Sequence, residues 1–227
     1  MKKIIYLVLV LFSIQLYAQE SSLKEGVSNY VQREDKLILN LTSDGWSGLP
    51  SQFTHKAIRS RGFSFLLMNE RMNKTGTFGL GLGLGFMSQN VHSDATIMDT
   101  TFDESSSSLI KIPDSLNYDL NKLSLNFINA ALELRFRSKL NKHNERFKLS
   151  LGVIAGVLVQ SHTKYEDDNG KFKTYHVKHL NNFQYGFSAR IGYDNYALTG
   201  YYSMVDVFQN GEGPSLTPYS VGISFTF

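Results

Sequence analysis

The chain contains no cysteine. Disulfides therefore cannot staple it, and no thiol is present to carry a lipoprotein anchor. Charge of one sign is also scarce. There are 23 basic and 20 acidic side chains, and setting aside Lys2 and Lys3 leaves 21 against 20. A nucleic-acid partner would call for a local basic excess, so none is expected. Beyond Gln19 no apolar run approaches the roughly 20 residues of a membrane helix. If the mature chain enters a membrane, it must do so as a closed barrel, the other structure that satisfies every backbone group in lipid. Helical periodicity is almost absent as well.

The N-terminus has the form of an export signal. Lys2 and Lys3 supply a positive start, residues 4–16 an apolar stretch, and Leu16-Tyr17-Ala18 a small residue just before Gln19. Residues 1–18 are therefore expected to be a signal peptide. Residues 19–34 are expected to be a polar periplasmic lead-in without a stable element. Residues 35–227 remain for one domain.

Period-two alternation fills that domain, and side chains on a strand point to alternate faces. At the C-terminus, Tyr219, Val221, Ile223, Phe225 and Phe227 alternate with Ser220, Gly222, Ser224 and Thr226. Seven earlier segments alternate likewise, at 35–43, 62–70, 77–90, 121–137, 146–160, 182–193 and 196–206. In the third, Phe78, Leu80, Leu82, Leu84 and Phe86 alternate with Gly79, Gly81, Gly83 and Gly85. The fourth changes phase: Leu123, Leu125 and Phe127 share one parity, while Ile128, Ala130, Leu132, Leu134 and Phe136 share the other. A one-residue slip turns every side chain to the opposite face, so a β-bulge is expected near residues 127–129.

The connections are long and short by turns: 44–61, 91–120, 161–181 and 207–217 against 71–76, 138–145 and 194–195. Outer-membrane barrels have an even strand number, short periplasmic turns and long outer loops. Asp103-Glu104-Ser105-Ser106-Ser107-Ser108 reads as loop, and Asp168-Asn169-Gly170 as a hairpin tip in which the strands run past the membrane. The expected fold is all-β, an eight-stranded antiparallel up-and-down transmembrane β-barrel of the outer-membrane type, located in the bacterial outer membrane.

A soluble barrel would alternate too, but its exterior would be charged. Here the polar faces of the third and last strands are glycine, serine and threonine, which suit a narrow interior. Aromatic residues mark both strand ends, as in a membrane girdle. Phe78, Phe136, Phe147, Tyr193, Tyr196 and Phe227 stand at one end; Phe63, Phe86, Phe127, Phe183, Tyr202 and Tyr219 stand at the other. The final alternation of Tyr219, Val221, Ile223, Phe225 and Phe227 resembles the C-terminal insertion signal of bacterial outer-membrane proteins. From about residue 35 to 227 the chain resembles the PorT-type outer-membrane β-barrel domain of Bacteroidetes. The likeness rests on Asp44-x-Trp46…Leu49-Pro50, Arg61-Gly62, the glycine-alternating strand and the aromatic terminus. It implies a link to protein secretion across the outer membrane.

Several residues invite a functional reading. Glu70, Glu133, Arg135, Arg137, Lys148 and Arg190 fall on the inward parity near the periplasmic half, with Tyr201 and Gln184 higher up. Buried charges must be paired, and eight strands leave little interior space. The expectation is an ion-paired filling and not a pore. Trp46, Leu49 and Phe53 in the first long loop either meet a partner or pack the loop onto the barrel mouth. His176 and His179, with His162, Glu166, Asp167 and Asp168 on the same loop, fit no zinc pattern. His92, Ser93 and Asp94 are consecutive and cannot all face one catalytic site. Gly79-x-Gly81-x-Gly83-x-Gly85 lacks the strand–turn–helix context of a phosphate loop. The sequence thus points to a non-catalytic barrel without cofactors, binding through its outer loops. Its partners would be outer-membrane lipid, the barrel-insertion machinery during biogenesis, and an extracellular or secretion-system protein. A secretion component and a lipid-modifying enzyme are the alternatives.

Overall fold

A computed structural model of the chain describes residues 35–99, 106–113 and 115–227. The signal peptide and lead-in expected over 1–34 lie outside the described residues. Eleven strands are present among them: β1 (Leu37–Ser47), β2 (Arg61–Met72), β3 (Phe78–His92), β4 (Ala95–Asp99), β5 (Ser107–Lys111), β6 (Tyr118–Arg137), β7 (Phe147–Asp167), β8 (Gly170–Tyr175), β9 (Phe183–Tyr193), β10 (Tyr196–Ser203) and β11 (Thr217–Thr226).

Eight of these close a ring. Each of β1, β2, β3, β6, β7, β9, β10 and β11 pairs antiparallel with the next, and β11 returns to β1. The seam is fastened at its base, where Phe227 O accepts from Lys36 N and Leu37 N at 2.7 and 2.9 Å. Closure removes the unpaired edges that an open sheet would leave. The eight expected strands correspond one to one with these, differing by a few residues at their ends.

The short turns lie at one end and the long connections at the other. Residues 73–77 form one short turn, in which Asn73 Oδ1 accepts from the backbone N–H of Thr77 and Phe78. Asp194, at φ 50°, begins the two-residue turn between β9 and β10. At the far end, β7 runs on well past the ring and folds back as β8 through 168–169, as the Asp-Asn-Gly tip requires. Two differences from expectation appear here. The long connection after β3 carries its own hairpin, β4–β5, so Ser107 and Ser108, read as loop on sequence, begin a strand.

The second difference is the phase break. β6 pairs with β3 without interruption from Phe78↔Phe136 to His92↔Lys122, so β6 keeps one parity and the expected bulge in it is absent. The irregularity falls at the same level on its other side: Asn126 pairs with Gln160 and Phe127 with Leu158, leaving Val159 of β7 as the extra residue. Leu123, Leu125 and Phe127 therefore point inward, along with Glu133 and Arg135. What changes along β6 is the chemistry of the interior, from charged to apolar. Alternation alone cannot distinguish that from a flip of face.

The outward face carries a belt of exposed apolar side chains. Leu82 is 64% exposed, Leu198 63% and Val221 60%, values that would be anomalous in water. On β3 the belt runs from Phe78 to Phe86, about the nine residues that a tilted membrane strand needs. Aromatic rings close its lower rim, with Phe78 and Phe136 at 5.1 Å between centroids. Phe127, assigned to the upper girdle on sequence, is buried inside instead; the other upper aromatic residues face outward.

Candidate functional site

The interior is built in tiers. At the short-turn end, β2, β6, β7 and β9 each turn charged side chains inward on their buried parity. Arg135 Nη1 donates to Glu70 at 2.5 Å, and its Nη2 lies 2.9 Å from Glu133. Arg137 Nη2 reaches Glu70 at 2.6 Å and Asp35 at 2.8 Å. Lys148 Nζ reaches the other Asp35 oxygen at 2.8 Å, and Arg190 Nη2 reaches Glu133 at 2.7 Å. All six residues expected to form a lumen network are thus joined, with Asp35 as the seventh. Asp35 opens the segment expected at 35–43 on the parity of Leu37 and Leu39, which would turn it outward; in the structure it precedes β1 and is buried.

The glycine face of β3 makes this possible. A Cβ added at Gly81 would come within 2.9 Å of Arg135 Nε. A guanidinium can thus lie across a strand where any side chain would displace it. Buried charges are tolerated when paired and hydrogen-bonded, and the network supplies both.

Above the charges lies a mixed layer of Ile38, Leu66, Met68, Met87, Ile154 and Tyr201. An interior cavity of about 30 Å³ is lined there by Asn40, Ser64, Glu133, Arg190, Tyr201 and neighbours. That is room for a water or two. Nearest the long-loop end comes an apolar tier of Trp46, Val91, Leu123, Leu125, Phe127, Leu180, Val207, Phe208 and Leu216. Leu49 packs against it, as do Ile97 and Leu109 from the β4–β5 hairpin. Trp46 belongs to β1 and is 8% exposed; Phe53 is 7% exposed. Of the two readings open for Trp46, Leu49 and Phe53, the structure favours the packed one: Trp46 and Leu49 lie in that tier, and Phe53 is buried.

The remaining candidates are dispersed. His179 Nδ1 lies 3.1 Å from Glu212, while the His162 ring stands 5.7 Å from the Tyr175 ring on the outward face. Ser93 Oγ donates to Ala95 O, and Asp94 accepts from the Thr54 N–H. Neither the histidines nor the 92–94 triplet converges on a point. On β11, Tyr219, Val221, Ile223 and Phe225 take the outward parity, as does Phe227 just after it, with Ser220, Ser224 and Thr226 buried inside.

Sequence reasoning missed one cluster. Above the apolar belt, the outward faces of β3, β6, β7 and β8 align His92, Lys122, Lys164 and Lys173 in one cross-strand row. Burial, reinforced by Lys122, Arg59 and Lys56, pushes His92 down to about 4. The only signal was parity beyond the belt, and it is readable only once the register is known.

A closed antiparallel ring with an apolar exterior, aromatic rims and charged side chains held inside defines a membrane-spanning β-barrel. A family model for the outer membrane protein β-barrel domain matches residues 40–209. The chain belongs to that family, and its place is the outer membrane. No curated protein matches it. A solved structure described as "Asymmetric conductivity of engineered proteins" is similar at 9% identity and a TM-score of 0.22. The alignment covers 84% of this chain and 99% of that one, and the likeness is too slight to bear on fold or function.

Proposed function

We propose that this barrel is a non-catalytic, non-conducting outer-membrane protein that acts as a scaffold or binding protein through its outer end. The observation that carries the reading is the stacking of two different fillings across one lumen. The Asp35–Glu70–Glu133 carboxylates with their guanidinium and ammonium partners occupy the periplasmic half, and Trp46, Phe127, Phe208 and Leu216 occupy the outer half. A hydrated ion needs a continuous wet path, and a cavity of about 30 Å³ between the tiers does not supply one. Planar-bilayer recording of the purified protein should give a silent membrane; a stable conductance that scales with inserted protein would overturn the reading.

The finer kinship to PorT-type barrels, and with it an accessory role in protein secretion, rests on the Asp44-x-Trp46…Leu49-Pro50 and Arg61-Gly62 segments. Asp44 supports it to this extent: its carboxylate accepts from Asn90 N–H at 2.9 Å and Thr42 Oγ1 at 2.8 Å, so the motif ties the end of β1 to β3. A secretion component should bring its machine with it in a pull-down from detergent-solubilised outer membranes. Capture of the barrel alone would favour the independent scaffold.

A further inference from the structure

The strands do not stop where the belt stops. Phe86, Ile128, Val157 and Phe183 form the uppermost apolar row of β3, β6, β7 and β9. The next outward row is Ser88, Asn126 and Gln160, with Asn126 Nδ2 donating to Gln160 at 2.9 Å. Then come Asn90, Ser124, His162 and Tyr175, and above them His92, Lys122, Lys164 and Lys173. Directly paired residues hold their Cβ atoms about 4.5–5.5 Å apart, and like charges so placed oppose the pairing. Three ammonium groups in adjacent register are therefore a standing cost to the free protein. Lys56 and Arg59 of the first loop add to the field: Lys56 lies 4.4 Å over the Tyr118 ring, and Arg59 is held by Asp119 O at 2.8 Å. Among the described residues the carboxylates nearby are few. Glu166 is shared between Lys164 and Lys171 at 3.0 and 2.8 Å, and Asp119 lies at the edge.

We propose that this face binds the phosphate-bearing saccharide headgroups of outer-leaflet glycolipid. The order of the rows is the argument. Within the two neutral rows Ser124, Asn126 and His162 are buried, so Gln160 and Tyr175 form the open surface, with Ser88 and Asn90 half-buried beside them. Acyl chains would lie against the apolar belt, sugar hydroxyls against those four side chains, and phosphates against the lysine row. An anionic saccharide standing on a lipid tail meets those chemistries in that sequence. An anion also relieves the mutual repulsion of the lysines. The inference rests on the barrel's outer-membrane placement and not on its closed lumen, so a conducting barrel would leave it standing.

The test uses the full-length protein in detergent, with an acylated diglucosamine carrying phosphates as the probe and its phosphatase-treated form as the control. Wild type should bind the phosphorylated probe and lose most of that binding in high salt. Lys122→Gln, Lys164→Gln and Lys173→Gln together should weaken it roughly a hundredfold, the cumulative attraction of three lysines at an anionic surface. Lys74→Gln, Lys139→Gln and Lys142→Gln together, at the opposite end of the barrel, should leave it unchanged. Retention of a heat-modifiable gel shift establishes that both variants are folded. Equal binding of the two probes, equal weakening by the two triple variants, or full binding by the first would each overturn the proposal. So would loss of a co-purifying protein from the first variant with glycolipid binding intact.

Discussion

Glu70 is the residue whose loss should cost most. Its carboxylate accepts from Arg135 at 2.5 Å and Arg137 at 2.6 Å, and from the Asp35 backbone N–H at 3.3 Å. The two guanidinium side chains are 2% and 1% exposed, so water cannot take the place of the carboxylate. The network joins three carboxylates (Asp35, Glu70, Glu133) to four cations (Arg135, Arg137, Lys148, Arg190). Glu70→Ala leaves two against four. Breaking a buried pair by deleting one member costs about 3–5 kcal/mol. Arg135 keeps Glu133 and Arg137 keeps Asp35, which puts the expected loss near the lower figure, about 3 kcal/mol. Glu70→Gln retains an oxygen acceptor without the charge and should fall between wild type and alanine. The assay is equilibrium urea unfolding in lipid vesicles. Trp46 is the sole tryptophan, and it sits in the apolar tier away from the substitution, so its emission reports global unfolding. A Glu70→Ala midpoint indistinguishable from wild type, within the roughly 0.5 kcal/mol typical of surface changes, would refute the dry, paired interior.

Two further outcomes follow from the exterior. Leu82, mid-belt and facing out, should lose about 2–4 kcal/mol on Leu82→Arg, the cost at a bilayer midplane. Leu140→Arg in the short turn should be near neutral, and equal effects in vesicle unfolding would contradict the belt. His92 is held down to about 4, below its ordinary 6.5, so between those values the unfolded chain binds the extra proton. Its contribution is complete above pH 6.5 and is lost as pH falls towards 4. His92→Gln should flatten the unfolding midpoint across that window, and an unchanged slope would count against the burial of the imidazole.

Much of the barrel was legible because a strand that meets lipid on one side and a narrow interior on the other must alternate. β3 is the plainest case: no helix or soluble strand has use for Gly79, Gly81, Gly83 and Gly85 opposite five large apolar side chains. The ion-paired residues were legible for the same reason, since Glu133, Arg135 and Arg137 interrupt the small-residue face at fixed parity. Failure came where the interior changed character. Leu123, Leu125 and Phe127 are apolar on the inward parity, and a pattern that equates apolar with lipid-facing turns them outside. The β4–β5 hairpin was hidden for a different reason: five-residue strands in a serine-rich stretch carry too little alternation to register. Asp35 was missed because it carries the outward parity of Leu37 but stands before β1, where that parity no longer holds, and the row of His92, Lys122, Lys164 and Lys173 because cross-strand register is not written in any one segment.

The change of material half-way up the lumen has a consequence for robustness. On the reading proposed above, a solute would meet two obstacles in series that depend on different forces. The upper one is hydrophobic, so it weakens on cooling and in denaturant and tightens in sulfate. The lower one is electrostatic and shielded from bulk salt by its burial. A condition that loosens one leaves the other in place. The mouth can therefore tolerate remodelling of its loops, down to replacing Phe208 with alanine, without the membrane losing its seal.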